Sequence, residues 1–462
     1  MMEFFAFGLF LLLFILLMSG YPVAFVLMGA SLLFAWIGIL LGHFDASFLQ
    51  AVPNRLFGIM GNEILIAVPL FVFMGITLQK SRLAEDLLDT MGVLFGHLRG
   101  GMGFSVIIVG TLMAASTGIV GATVVTMGLI SLPAMLKRNY SPEVASGTIC
   151  ASATLGQLIP PSIVLILLGD VISNAYQVTQ LKEGKFNIDT VSVGDLFLGA
   201  LIPGLILVAL YMLYIMLLTF IKPDEVPAIP KEDRDKMVES KNLLLLVLDA
   251  LFPPLALICA VLGSILMGFA TPTEAASVGC VGAMLIAVFK GRLSWSIMKG
   301  IVQTTTTIST QIFFIVIGAS FFSLVFRGYG GDLAIERFLI GLPGETLLAL
   351  LLVMLLIFVL GFFLDFIEIT VIIVPIVAPV LFSLGVEPLW LGIMIALNLQ
   401  TSFLTPPFGF SLFYLRGVAP PSVKTEAIYK GVIPFIFLQL LVLAIIWIWP
   451  DLATFLPRLV YG

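Results

Sequence analysis

The sequence predicts an all-α polytopic membrane protein, and two observations carry that prediction. Of the 462 residues, 60% are hydrophobic and only 11% are charged, whereas about a quarter of the residues in a soluble domain carry a charge. Apolar runs of about 20 residues, the length that crosses a bilayer, recur along the whole chain. Because lipid offers no hydrogen bonds, such runs must satisfy their backbone groups internally, as helices do.

Composition and motifs exclude several classes of function. The net charge of −5 comes without any basic tract, so no nucleic-acid partner is expected. Cys150, Cys259 and Cys280 lie in apolar runs without metal or disulfide spacing, and we expect them to be small buried hydrophobic residues. The sequence has no nucleophile-elbow, zincin or Walker A motif, so we predict neither an enzyme nor an ATPase.

Ten full spans are predicted, beginning with a retained first helix rather than a cleaved signal peptide. Two further apolar stretches, 102–136 and 345–384, are too long for one span and have no polar loop in the middle. Each contains a central break, at 116–121 and at 361–365, and each therefore predicts a re-entrant hairpin. The ten spans are 2–20, 22–42, 62–80, 143–169, 194–220, 243–268, 272–289, 300–326, 388–416 and 431–452.

The distribution of basic residues agrees with the hairpins. With the N-terminus outside, sixteen of the 22 Lys and Arg residues fall in inside loops and six fall outside, as the positive-inside rule requires. If either long stretch were a single span, the orientation of every later span would be reversed and the excess of basic residues in inside loops would be lost. The outer loop 170–193 is longer than we expect, and it is either a contact for a partner or a solvated loop.

The chain reads as two inverted repeats, 1–221 and 243–462, joined by a charged cytoplasmic linker, 222–242. Each repeat has five spans and one hairpin, and an odd number of spans places the two repeats in opposite orientations, as in many secondary transporters. Four prolines recur in register at an offset of 246: Pro133, Pro142, Pro160 and Pro161 return as Pro379, Pro388, Pro406 and Pro407.

The two Pro-Pro pairs lie inside the spans 143–169 and 388–416, where they must break the helix. Broken helices survive in a membrane where protein, water or an ion takes up the freed carbonyls, and oxygen ligands suit sodium. At the same offset, Ile119 and Val120 of the first hairpin match Asp365 and Phe366 of the second. Two pseudo-symmetric ion sites are predicted, although a Pro-Pro pair alone is equally consistent with a simple kink.

The substrate site is expected between the two ion sites, with Thr117, Ser162 and Asp365 as candidate ligands. Asp365 and Glu368 are the acids nearest the centre of an apolar stretch, and intramembrane acids are usually functional. The alternative is a structural acid paired with a hydroxyl or backbone amide. Thr271 and Glu274 are also candidates for a functional role, but for these two residues we favour a helix capping box.

Several motifs resemble the large membrane subunit of tripartite ATP-independent periplasmic (TRAP) transporters, the DctM type. They are TLGQLIPPS at 154–162, TPTEAA at 271–276, GFFLD at 361–365 and LTPPFG at 404–409, in family order. The resemblance implies an elevator, in which a transport domain of hairpins and broken helices slides against a scaffold, and uptake driven by sodium.

The resemblance also implies which residues bind sodium, many of them through backbone carbonyls. The family often has a Ser-Ser pair where Ile119 and Val120 stand, and glycine where Ser402 stands. The first site would use Ile119, Val120, Gly156, Ile159 and Pro161, and the second Gly361, Ser402, Thr405 and Phe408.

By the same resemblance, the protein would lie in the bacterial inner membrane, in contact with lipid. It would work with a separate small four-helix membrane subunit and a periplasmic substrate-binding protein. The cargo would be an organic acid, such as a C4-dicarboxylate, 2-oxo acid, sugar acid or sulfonate. The residues alone leave open a self-sufficient ion-coupled exchanger, an intramembrane enzyme using Asp365 and Glu368, and a channel.

Overall fold

A computed structural model of the chain describes residues 2–229 and 243–461, and this part is helical throughout, without a β-strand. Short 3₁₀ turns occupy 46–51, 155–157 and 223–225. In chain order the helices are α1 (Met2–Met18), α2 (Val23–Leu40), α3 (Val52–Met60), α4 (Glu63–Lys80), α5 (Leu83–Phe95), α6 (Gly101–Thr117), α7 (Val120–Lys137), α8 (Pro142–Thr154), α9 (Ile163–Lys182), α10 (Val193–Ile221), α11 (Leu243–Leu266), α12 (Pro272–Phe289), α13 (Trp295–Gly328), α14 (Gly331–Ile340), α15 (Glu345–Leu360), α16 (Phe366–Ser383), α17 (Pro388–Leu404), α18 (Phe410–Val418), α19 (Thr425–Ile448) and α20 (Asp451–Tyr461).

The prediction of an all-α polytopic membrane protein is confirmed. Ten of the described helices are long and apolar enough to cross a bilayer. Their surface carries many exposed large hydrophobic side chains, among them Phe220, Phe252 and Phe289, which only lipid can cover without cost.

The ten helices are not the ten predicted spans. Val120–Lys137 and Phe366–Ser383, the second arms of the two predicted hairpins, are long enough to cross, whereas the apolar part of the first helix, Phe4–Met18, is shorter. The span predicted over 388–416 is divided between α17 and α18. Length alone does not distinguish a re-entrant arm from a crossing one, because 18 helical residues extend about 27 Å and the hydrocarbon core is about 30 Å thick. That both arms return to one face stays a prediction.

The predicted outer loop 170–193 is wrong over its first half, because α9 continues to Lys182. Its last three turns contain Asp170, Asn174 and Gln177, which lower the hydropathy that marked a span end at 169. Ile172, Ala175 and Thr179 nonetheless lie buried at helical spacing, so tertiary packing extends the helix. Of the predicted linker 222–242, residues 230–242 lie outside the described residues.

Helix boundaries repeat at the offset found for the prolines. Helix α7 spans 120–137 and α16 spans 366–383, so both ends lie 246 positions apart, and α8 and α17 begin at Pro142 and Pro388. The likeness has one local exception, a π-helical turn at Ile369–Ile373 that has no counterpart in α7. That the two repeats face opposite ways stays a prediction.

The two halves interlock rather than pack as separate bodies. Helix α2 packs against α13 and α4 against α12; α8 packs against α19 and α17 against α10; α9 packs against α16 and α18 against α7. The six contacts thus form three pairs. In each pair, the two contacts join corresponding helices, with the first and second halves of the chain exchanged. Neither half can therefore bury its apolar faces without the other.

Candidate functional site

The first hairpin turns at Gly118, whose left-handed backbone (φ +60°) ends α6. Ile119 is extended and Val120 begins α7. A Cβ on Gly118 would lie 3.2 Å from the backbone nitrogen of Ile163, the first residue of α9. The predicted tip thus lies directly against the helix that follows the first Pro-Pro break.

The first break separates α8 from α9 and contains a cis Pro160–Pro161 bond. The first helical hydrogen bond of α9 runs from Ile166 N to Ser162 O, so the carbonyls of Ile159 and Pro161 precede the hydrogen-bond ladder of that helix. Gly156 packs against the last turn of α6, where a Cβ would lie 3.3 Å from Ala114 O. The fold therefore joins the break to the hairpin, bringing the predicted first-site segments together.

The second break repeats this arrangement around cis Pro406–Pro407. Gly361 touches α17 so closely that a Cβ there would lie 2.2 Å from the Ser402 Oγ. The ring of Phe363, two residues on, lies 5.4 Å from the ring of Phe408. The second tip and the second break are therefore in direct contact as well.

Hydroxyl groups at the second break are oriented in a way that suits a cation. Ser402 Oγ donates to Leu399 O at 2.8 Å, and Thr405 Oγ1 donates to Thr401 O at 2.7 Å. Each hydroxyl proton is thus directed back into α17, which leaves oxygen lone pairs available to a ligand. Neutral oxygens of this kind fit sodium.

The three predicted substrate ligands all make local hydrogen bonds. Thr117 Oγ1 lies 2.8 Å from Thr123 Oγ1 across the first turn, and Ser162 Oγ donates to Gln157 O at 3.0 Å across the first break. Asp365 accepts from Phe366 N at 2.6 Å. These bonds fix the position of each side chain without occupying all of its acceptor capacity.

Asp365 and Glu368 form a capping box at the start of α16. Asp365 N donates to Glu368 Oε2 at 2.9 Å, and Glu368 is buried. The structural alternative considered for these acids is therefore present, and it explains why both stand at this turn. The capping box predicted at Thr271 and Glu274 is confirmed, with Thr271 N donating to Glu274 Oε2 at 2.8 Å.

Tyr414 of α18 is a candidate that the sequence did not reveal. Its ring covers the start of α7, where a Cβ on Gly121 would lie 2.9 Å from the Tyr414 Cζ. This side chain therefore packs directly beside the first tip. A tyrosine about two turns after a Pro-Pro pair gives no sequence signal by itself.

A buried polar cluster, also missed, lies where α8 meets α17. Gln400 Nε2 donates to Thr154 Oγ1 at 3.5 Å, and these two positions are 246 residues apart, so they correspond in the two repeats. Gln439 Nε2 donates to Tyr211 Oη at 2.8 Å beside them. Gln157 is buried, and neither of its side-chain polar atoms has a partner in the described part of the chain.

The cysteines and acidic side chains of the described residues form no cluster that could bind a metal ion. Cys150 and Cys280 are buried as expected, but the expectation is wrong for Cys259, which is exposed on α11, where lipid can cover a small apolar residue. Within 2–229 and 243–461, no three His, Cys, Asp or Glu residues gather as metal ligands.

Comparison with known proteins places the chain among transporters. The family model described as "Tripartite ATP-independent periplasmic transporter, DctM component" matches residues 10–452. The chain is 29% identical to the C4-dicarboxylate TRAP transporter large permease protein DctM of Vibrio cholerae, covering 98% of both chains. It is 28% identical to the sialic acid TRAP transporter large permease protein SiaM of the same species, covering 97% of both.

The solved structure of the YdaH transporter of Alcanivorax borkumensis resembles the fold. The TM-score is 0.61, and the match covers 88% of this chain and 90% of that one. Because the sequences are only 16% identical, the likeness concerns the fold alone. The family match spans nearly the whole sequence and includes both tips and both breaks. The chain therefore belongs to the DctM family of TRAP transporter large permease subunits, which are membrane transport proteins and not enzymes.

Proposed function

We propose that this chain is the large permease subunit of a sodium-coupled importer of an organic acid in the bacterial inner membrane. Sodium binds at the two tip-and-break sites, and the acid binds between them. The transport domain that carries these sites slides against the remaining helices in an elevator motion. Delivery by a periplasmic binding protein and support by a small four-helix membrane subunit complete the system, as membership of the family implies.

The observation that carries this proposal is the pairing of each tip with a break. Gly118 adjoins Ile163 in one half, and Gly361 adjoins Ser402 in the other. Each pairing gathers helix-terminal carbonyls and hydroxyls, which are neutral oxygen donors, in apolar surroundings. A monovalent cation that binds at two such sites can shift the equilibrium between the conformations of the transporter, so its gradient can drive transport.

The organic-acid class is supported by two relatives, which are named for C4-dicarboxylate and sialic acid. Both compounds are carboxylic acids. An ionised Asp365 or Glu368 would repel a bare carboxylate, and sodium at the neighbouring sites would offset that repulsion. This requirement gives a physical reason for coupling the acid to a cation.

The test is uptake of a labelled organic acid into proteoliposomes that contain this chain and its small subunit. Binding protein and an inward sodium gradient are supplied together or singly. We expect uptake only with both. Thr405→Ala should raise the sodium concentration for half-maximal uptake about tenfold, which corresponds to about 1.4 kcal/mol for one lost oxygen ligand.

Thr219→Ala is the matched control, because Thr219 Oγ1 also donates to a carbonyl of its own helix, Met216 O at 2.7 Å, and Thr219 is half-buried near the end of α10, outside both tip-and-break sites. It should leave the sodium dependence unchanged. Uptake by this chain without a binding protein would favour the self-sufficient exchanger. Uptake that ignores sodium would remove the case for both ion sites.

A further inference from the structure

A cavity of about 480 Å³ opens beside the C-terminal end of α4, apart from the two tip-and-break sites. Helices α4, α5, α7 and α13 contribute to its walls, so both halves of the chain line it. Its polar lining consists of Gln79, Lys80, Arg82, Glu85, Thr126 and Thr304. The positive-inside orientation places Lys80 and Arg82 at the inner face of the membrane.

The charge in this cavity is not neutralised locally. Among the side chains that the structure describes, no carboxylate comes within 4.0 Å of the Lys80 ammonium or the Arg82 guanidinium. Glu85 is the acid in the lining, so the two cations exceed it by one charge. Lys80 Nζ is directed toward α13, where a Cβ on Gly300 would lie 3.5 Å from it.

The turn that presents Arg82 is held in an unusual backbone conformation. Arg82 has φ +55°, a left-handed value that non-glycine residues rarely adopt. Arg292 Nη1, from the other half, donates to Ser81 O at 2.9 Å and to Arg82 O at 3.1 Å. Backbone strain of this kind persists where surrounding contacts enforce it, and it clusters at binding sites.

The carboxylate of Asp86 holds Arg292 in this contact with the turn. Asp86 accepts from Arg292 at 2.8 and 2.9 Å, and Lys290 Nζ lies 3.1 Å from Asp86 Oδ2. The basic pair Lys290 and Arg292 is thereby used to hold the turn, while Lys80 and Arg82 are left facing the cavity. The arrangement separates positioning cations from cations that are free to bind.

Neutral polar side chains continue the cavity wall toward the middle of the membrane. Gln79 Nε2 donates to Thr126 Oγ1 of α7, and Thr304 faces them from α13. Further along α13, Thr307 and Gln311 line a second cavity of about 460 Å³, whose wall includes Glu368. Seven helical residues separate Thr304 from Gln311, a distance of about 10 Å.

We propose that the cavity beside Lys80 and Arg82 is an oxyanion site, with Thr126 as a neutral donor. The carboxylate of the transported acid would occupy it on the way to the inner face, an assignment that rests on the proposed function. The phosphate of an anionic lipid has the same chemistry and could reach the same place. A planar guanidinium and an ammonium together suit either oxyanion.

The test measures binding rather than transport. Purified protein in phosphatidylcholine nanodiscs is titrated with succinate and with inorganic phosphate, and the midpoint of thermal unfolding is followed. The titration is repeated in nanodiscs that contain phosphatidylglycerol. The variants are Lys80→Gln, Arg82→Gly, which keeps the left-handed backbone accessible, and Arg82→Lys, which keeps the charge.

We expect succinate to raise the unfolding midpoint of the wild-type protein. Lys80→Gln or Arg82→Gly should raise the succinate concentration needed for half of this effect about tenfold. Arg82→Lys should restore much of the binding. Lys430→Gln, which removes an exposed lysine from the same predicted face, serves as the control and should bind like the wild type. Both cavity side chains are exposed, so truncating them should leave the fold intact.

A response to phosphatidylglycerol alone, lost in the same variants, would assign the site to lipid phosphate. If the wild type and both truncated variants responded equally to succinate, inorganic phosphate and phosphatidylglycerol, the proposed oxyanion site would be wrong. Failure of sodium-dependent uptake by the wild type would instead contradict the proposed function. The two failures are distinct because the nanodisc titration involves no transport.

Discussion

The contact between Gly361 and Ser402 offers the sharpest test of the second tip-and-break pairing. Gly361 has φ −64° and ψ −7°, a conformation that alanine adopts without strain. Any effect of Gly361→Ala must therefore come from the added methyl group. That methyl would lie 2.2 Å from the Ser402 Oγ and 2.7 Å from its Cβ.

The size of the effect follows from those two distances. The Ser402 hydroxyl can rotate away, but its Cβ is fixed to the backbone of α17. The two Cβ atoms would have to separate by about 1 Å to reach ordinary contact, and overpacking of this kind costs about 1–3 kcal/mol. The same displacement would pull the carbonyl of Gly361 away from the hydroxyls of the second predicted sodium site.

The assay combines stability and sodium dependence. We expect Gly361→Ala to lower the free energy of unfolding by about 2 kcal/mol and to weaken the apparent sodium affinity at least about tenfold. Ser402→Gly removes the obstructing side chain, so the double variant should recover most of the lost stability. Gly263→Ala is the control, because a Cβ there meets no atom within 4 Å.

Two results would refute the reasoning. If Gly361→Ala behaved like Gly263→Ala, the close approach of the tip to α17 would be wrong. If Ser402→Gly failed to restore stability in the double variant, the cost of the methyl group would not arise from this contact. Recovery of stability without recovery of sodium affinity would show that the Ser402 oxygen itself contributes to binding.

The remaining predictions concern a buried amide and an ion pair. Gln157→Leu should leave the free energy of unfolding unchanged or raise it by about 1–3 kcal/mol, because neither polar atom of this buried side chain has a partner among the described residues; a clear loss of stability in thermal unfolding would contradict this. Asp86→Asn should lower stability by about 2 kcal/mol, because Arg292 and Lys290 would lose their shared carboxylate. Glu426→Gln, at an exposed pair, should change little, and an equal loss in both variants would remove the special role of Asp86.

The helical, membrane-spanning nature of the chain could be predicted because it follows from composition and run length. Lipid forces long apolar runs into helices whatever their neighbours are. Capping at Thr271 and the breaks at Pro160–Pro161 and Pro406–Pro407 were likewise predictable, since these signals act within a few residues.

Span ends were predicted less well where packing outweighed hydropathy. Helix α9 runs to Lys182 past Asp170 and Asn174, because Asp170 accepts hydrogen bonds from Asn62 and Asn174 while the opposite face stays buried. A hydropathy average records polarity but not which face carries it. The same average hid the polar face of α13, where Thr304, Thr307 and Gln311 line two cavities.

The sequence by itself determined that this is a helical membrane protein with two related halves and two paired breaks, because those features depend on local chemistry and spacing. Only the tertiary structure decided that each tip contacts a break, that Tyr414 packs against the first tip, and that Lys80 and Arg82 face a cavity shared by both halves. Such contacts join residues far apart in the chain. They depend on how interlocked helices pack, and no single segment carries that information.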